Sequence, residues 1–124
     1  WLDFMRSAFI EALAKPGPYA EFISRDTTWD NMFQPGASER SYEMFQDQFS
    51  SHRVPSIATI VRESPAAAII ARLFGAQKVV FFYDHLILKC GGSEAPIPWH
   101  QDLPYWKIDG SQVGSVWIPL DPMP

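Results

Sequence analysis

Six of the eleven prolines in this 124-residue chain fall within its last 29 positions: Pro96, Pro98, Pro104, Pro119, Pro122 and Pro124. Proline fixes φ and donates no amide hydrogen bond, so it breaks a helix interior and interrupts the middle of a sheet. The C-terminal third is therefore expected to hold short strands and shaped loops rather than helix. Just upstream lies sequence of the opposite kind. Lys78 to Lys89 lacks glycine and proline and is rich in Val, Phe, Tyr, Ile and Leu, so it reads as one long strand. Alternation then places Tyr83, His85, Ile87 and Lys89 on one face and Phe82, Asp84, Leu86 and Leu88 on the other.

The first 77 residues read as mainly helical. Leu2, Met5, Phe9 and Leu13 recur at helical spacing from Trp1 to Lys15, and Pro16-Gly17-Pro18 ends the run. Tyr19 to Gln34 is irregular, with Phe22, Trp29 and Phe33 among polar residues, and Pro35-Gly36 marks a turn. Ser41 to Phe49 reads as a short helix carrying Tyr42, Phe45 and Phe49, and Ile57 to Arg62 as a further helical turn or two. Ser64 is placed to cap a helix over Ala66–Phe74, with Pro65 at its first position and Gly75 closing it. The alanine-rich face of that helix suits close packing on a neighbour. Downstream, Cys90 to Ser93 opens a loop that ends near Pro98, and Trp99 to Asp102 reads as extended. Pro104 to Gly110 connects to a second strand over Val113–Leu120. The fold class is α+β in a single domain, with helices first and strands after.

An apolar share of 47% and an aromatic share of 15% can build a core, which argues against a disordered tail. Ten basic against fourteen acidic side chains, without a Lys/Arg cluster, argue against nucleic acid or an anionic membrane as partner. No apolar run reaches the ~20 residues of a membrane span. The single Cys90 excludes an internal disulfide and fits a reducing compartment, so a cytoplasmic location is expected. The sequence begins at Trp1 inside a helix-like run and stops at Met123-Pro124 straight after a strand-like one. It reads as a piece of a longer protein.

The residues with the clearest chemistry are His100-Gln101-Asp102. In an extended segment, i and i+2 point to the same side, so an imidazole and a carboxylate can occupy adjacent positions on one metal ion. A second histidine would complete the two-His-one-carboxylate face of non-haem Fe(II) oxygenases. A bare His-x-Asp is expected about 0.2 times by chance in a chain of this composition. The plainer alternative is a surface histidine beside an aspartate that caps a turn before Leu103-Pro104.

Context adds specificity. The order Phe82-Tyr83-Asp84-His85-Leu86-Ile87-Leu88-Lys89, then Pro98-Trp99-His100-Gln101-Asp102, then Tyr105-Trp106 and Val116-Trp117-Ile118-Pro119-Leu120-Asp121 resembles the phytanoyl-CoA dioxygenase family. The resemblance is sharp over about residues 62–122 and general before that. It implies an Fe(II)- and 2-oxoglutarate-dependent oxygenase on a double-stranded β-helix, of which residues 78–124 would be the first part. It implies hydroxylation of a small organic substrate with release of succinate and CO₂.

By the same resemblance His100 and Asp102 would be metal ligands, and Lys89 and Trp117 would lie near 2-oxoglutarate. Tyr83, His85 and Trp99 are candidate substrate contacts. The competing readings are a solvated strand-end lysine, core aromatics and a satisfied core histidine. His52 has no companion ligand. The family's third ligand, a later histidine, and the arginine that follows it have no counterpart in the 22 residues after Asp102, so these 124 residues alone are expected to be inactive. The rival from another class is a metal-free jelly-roll binding module, with Trp99, Tyr105, Trp106 and Trp117 as an aromatic platform.

Overall fold

The computed structural model describes residues 1–24, 43–90 and 99–122. Trp29, Phe33, the Pro35-Gly36 turn, Tyr42 and the glycine loop from Gly91 to Pro98 lie outside the described residues. The architecture is α+β. Helix α1 spans Leu2–Leu13, strand β1 Glu21–Ile23, strand β2 Met44–Gln48, helix α2 Pro55–Glu63, helix α3 Ala66–Phe74 and strand β3 His85–Lys89. Single 3-10 turns lie at Ser50–His52 and Leu103–Tyr105.

The strands form one antiparallel sheet in the order β1-β2-β3. β2 is central, with Phe45 opposite Phe22 on one side and Leu88 on the other. Phe45 and Asp47 are fully buried while Met44, Gln46 and Gln48 are half-buried, the alternation of a strand with one covered face. The expected helix over Ser41–Phe49 is thus corrected to strand. Phe45 and Phe49 are spaced for a helix, but Phe45 and Asp47 are equally spaced for a strand. Pairing on both edges satisfies backbone groups that a single isolated helical turn would leave free.

The long strand expected over Lys78–Lys89 is shortened to its last five residues. β2 ends at Gln48, paired with His85. Phe49 then adopts a left-handed conformation (φ 57°) and turns the chain into the Ser50–His52 turn. The last ladder bond runs from the Phe49 N–H to the Asp84 carbonyl at 3.1 Å. Residues 78–84 thus lie beyond the end of their partner. Within β3 the expected alternation holds, since His85, Ile87 and Lys89 are exposed and Leu86 and Leu88 half-buried. Val113–Leu120 forms no strand either; among the described residues it has no ladder partner.

The core lies between the helices and the covered face of the sheet. Ala8 and Ala12 of α1 meet Val54 and Ile57 at the start of α2, with Ile60 and Leu86 packed against them. On α1 the buried positions are Met5, Ala8 and Ala12 rather than Leu2, because the small alanines admit α2 at close range. Pro55 opens α2 at the one place where a missing N–H costs nothing, and Val54 before it is extended.

Ser64 differs from its expected role. Its N–H donates to the Ile60 carbonyl and so closes α2, while Pro65 takes the capping position of α3 without a side-chain bond. The buried Ser64 hydroxyl has no partner among the described residues. Gly75 ends α3 in the expected left-handed conformation (φ 60°), and the Ala76 N–H reaches the Ala71 carbonyl. No residue of α3 is fully buried; Ala66, Ile70, Ala71 and Phe74 are half-buried and its other residues are exposed. Among the described residues no helix is long and apolar enough to cross a membrane.

Candidate metal centre

After β3 the described chain resumes at Trp99, and Trp106 meets Tyr83, two residues before β3. His100 Nε2 lies 3.1 Å from Asp102 Oδ1, with the two side chains 41% and 47% exposed. The extended segment expected through Asp102 stops short of it, since Asp102 has helical angles (φ −72°, ψ −35°) as the cap of the next turn; imidazole and carboxylate still meet, and both are open to solvent. The following 3-10 turn fixes what comes next. The Tyr105 N–H donates to the Asp102 carbonyl (2.9 Å) and the Trp106 N–H to that of Leu103 (3.1 Å). The Tyr105 ring stands edge-on to the His100 imidazole, with centroids 6.2 Å apart.

The donor pair can be tested for metal binding on geometry. Two ligand atoms at about 2.1 Å from one ion and at right angles are about 3.0 Å apart. The observed 3.1 Å matches such an edge, and the exposure of both groups leaves an approach to the remaining positions. The pair fits as two ligands of an octahedral site, which takes the imidazole through a ring nitrogen lone pair and the carboxylate through one oxygen. Among the described residues no group of three or more His, Cys, Asp or Glu side chains is assembled around it.

The other expected site residues divide into two groups. Tyr83 and His85 stand beside the pair. Trp106 Nε1–H donates to Tyr83 Oη at 2.8 Å, and the Tyr83 ring is stacked on that of His85, with centroids 6.4 Å apart. Phe49 packs on Tyr83 at 5.3 Å and Tyr19 on Phe49 at 5.3 Å, so an aromatic row runs from the end of β2 to Trp106. His85 also lies 3.3 Å from Gln46 Oε1. Desolvation lowers the His85 pKa below its ordinary value of 6.5, against the opposing pull of the Asp102, Asp84 and Asp47 carboxylates.

Lys89, Trp99 and Trp117 form the second group. Lys89 is exposed at the end of β3, Trp99 is fully exposed, and Trp117 is 72% exposed. None of the three has a side-chain bond, ion pair or ring contact with another described residue.

Two features were not legible from spacing. Asp84 lies in an apolar run, and its carboxylate accepts the Ser50 and Ser51 N–H groups at 2.8 and 2.9 Å, holding the turn after β2. Buried Asp47 pairs with Arg53. An acidic residue amid apolar neighbours is the available signal for Asp84, whereas Asp47 lies between Gln46 and Gln48 and carries no such signal; in both cases the partner is set by the fold.

A model of the phytanoyl-CoA dioxygenase family matches residues 5–124. The chain belongs to that family. No curated protein and no solved structure matches it. Membership in the phytanoyl-CoA dioxygenase family points to an oxygenase-type function for the chain.

Proposed function

We propose that this phytanoyl-CoA dioxygenase family protein is a non-haem Fe(II)- and 2-oxoglutarate-dependent oxygenase that hydroxylates a small organic substrate, releasing succinate and CO₂. The observation that carries this reading is the His100–Asp102 pair, held at the separation of adjacent ligands in a chain of this family. Iron bound with 2-oxoglutarate and O₂ supplies the oxidation of an unactivated C–H bond. The contribution of the chain is to hold, orient and shield.

In this reading His100 and Asp102 hold the ion through one nitrogen and one carboxylate oxygen. Lys89 attracts a carboxylate of 2-oxoglutarate at the end of β3, and Trp117 flanks the same cosubstrate. His85 and Trp99 contact the substrate. The sheet β1-β2-β3 belongs to one face of a double-stranded β-helix, whose covered side faces α1 and α2. The sequence holds three histidines: His52, His85 and His100. The third protein ligand, and the arginine for the far carboxylate of 2-oxoglutarate, are therefore proposed to lie outside these 124 residues.

The test uses the full-length protein without oxygen. Adding Fe(II) and then 2-oxoglutarate should produce a weak visible charge-transfer band, and Asp102→Ala should abolish it. A wild-type protein that gives no band overturns the reading.

A further inference from the structure

The stretch from Trp99 to Gly110 is almost wholly solvent-exposed, and this bears on how two ligands can be held accurately. Of these twelve residues only Trp106 is even half-buried. A metal-binding pair on an exposed segment is mobile unless something ties the segment down, and a loose pair binds poorly. The tie is visible at Trp106. Its indole N–H donates to Tyr83 Oη at 2.8 Å, and its ring meets the Tyr83 ring edge-on at 6.3 Å.

Both ends of that contact are tied to other parts of the fold. Tyr83 directly precedes Asp84, whose carboxylate takes two N–H groups of the Ser50–His52 turn. Its ring is packed between Phe49 and His85. Trp106 directly follows the 3-10 turn Leu103–Tyr105, whose first N–H bond is to the carbonyl of Asp102. One hydrogen bond thus couples the exposed face of the sheet to a one-turn lever that begins at Asp102.

We propose that Tyr83 and Trp106 form a clasp that positions the His100–Asp102 pair for the ion, so that Tyr83 is a positioning residue rather than a substrate contact. This rests on the metal-ligand reading of the pair. The hydroxyl of Tyr83 has one acidic hydrogen and its oxygen already receives the indole N–H. Phe49 and His85 lie against its ring. What remains free for a substrate is small. What it holds is the turn after Asp102.

The clasp is tested in the full-length protein with Tyr83→Phe, Trp106→Phe and the double variant, using Co(II) as a spectroscopic probe of the ion site. Tyr83→Phe removes only the hydroxyl, while Trp106→Phe keeps an aromatic ring but loses the indole N–H together with the five-membered ring that carries it. Each single variant should weaken Co(II) binding on the order of tenfold and alter its visible d–d spectrum, with the thermal midpoint of the metal-free protein unchanged. The double variant should be no weaker than either single one, since both remove the same bond. In the metal-free wild type, exchange of the Trp106 indole N–H with solvent should be slow, and fast in Tyr83→Phe. Wild-type affinity and spectrum in the single variants overturn the clasp and leave the function standing. Losses that add in the double variant, or that track a fall in thermal midpoint, also overturn it. A wild type that binds no Co(II) overturns clasp and metal reading together.

Discussion

Desolvation against the sheet and three nearby carboxylates act in opposite senses on the His85 imidazole. His85 keeps solvent-exposed surface in β3, yet the protein packed around its imidazole, Tyr83 and Gln46 included, disfavours the charged form, while Asp102, Asp84 and Asp47 favour it, and desolvation prevails. A histidine with a lowered pKa in the folded state is neutral in both states above 6.5, so it leaves stability unchanged there. Below that value the unfolded chain takes up a proton more readily than the folded one, and stability falls with pH until folded His85 is protonated too. In the metal-free protein, thermal midpoints between about pH 7.5 and about pH 5 should therefore fall less steeply for His85→Gln than for the wild type. The glutamine keeps a polar group opposite Gln46 without a titrating proton. Parallel curves for the two proteins would show that His85 is not the group responsible.

At the scale of elements, the junction of β2 with its following turn depends on one carboxylate. Asp47 has no exposed side-chain surface and pairs with Arg53. It also accepts the Gly17 N–H at 3.0 Å and the Gln48 N–H at 2.9 Å. Arg53 donates in turn to the Lys15 carbonyl, so the end of α1, the centre of the sheet and the start of α2 share one network. A Cβ at Gly17 would lie 2.5 Å from Arg53 Nε, so any larger residue there would have to displace the guanidinium that pairs with Asp47. Asp47→Ala would leave a largely buried guanidinium without its counter-charge and two N–H groups unpaired, at a cost of about 3 kcal/mol. Urea unfolding should show that loss as a lower midpoint with an unchanged slope. A loss below about 1 kcal/mol would mean that water replaces the carboxylate.

This network explains which elements could be read from the sequence. α1, α2 and α3 carry local signals, in their helical periodicity and in Gly75, and all three form, although α1 buries Ala8 and Ala12 beside Met5 in place of the expected stripe and α2 starts two residues before Ile57. β3 was legible in its alternation but not in its start, which is fixed by where β2 turns away at Phe49. β2 itself is five residues long, too short for its period to outweigh helical spacing, and its identity comes from partners distant in sequence. The His100–Asp102 contact was legible because i and i+2 suffice to make it. The Trp106–Tyr83 bond was not, since it joins residues 23 apart whose proximity depends on the sheet.

Across the whole molecule, large apolar side chains stand in solvent on segments without a sheet partner. Val80, Phe81 and Phe82 precede β3, and Val116, Trp117 and Ile118 lie where a strand was expected. β1 and β3 each also have one unpaired edge among the described strands. Apolar patches and open edges of this kind drive association, since pairing satisfies the backbone groups and removes the side chains from water together. The 124-residue chain prepared alone should accordingly bind the dye ANS and sediment with a concentration-dependent mass. Val80→Lys combined with Trp117→Lys should reduce both effects while leaving the thermal midpoint unchanged, because neither side chain contributes to the core. If the exposed segments belong to a larger β-helix, the full-length protein should bind far less dye per molecule than the 124-residue chain. A 124-residue chain that stays monomeric and binds no dye would show that these side chains find cover within it, and the proposed β-helix would lose its best physical motive.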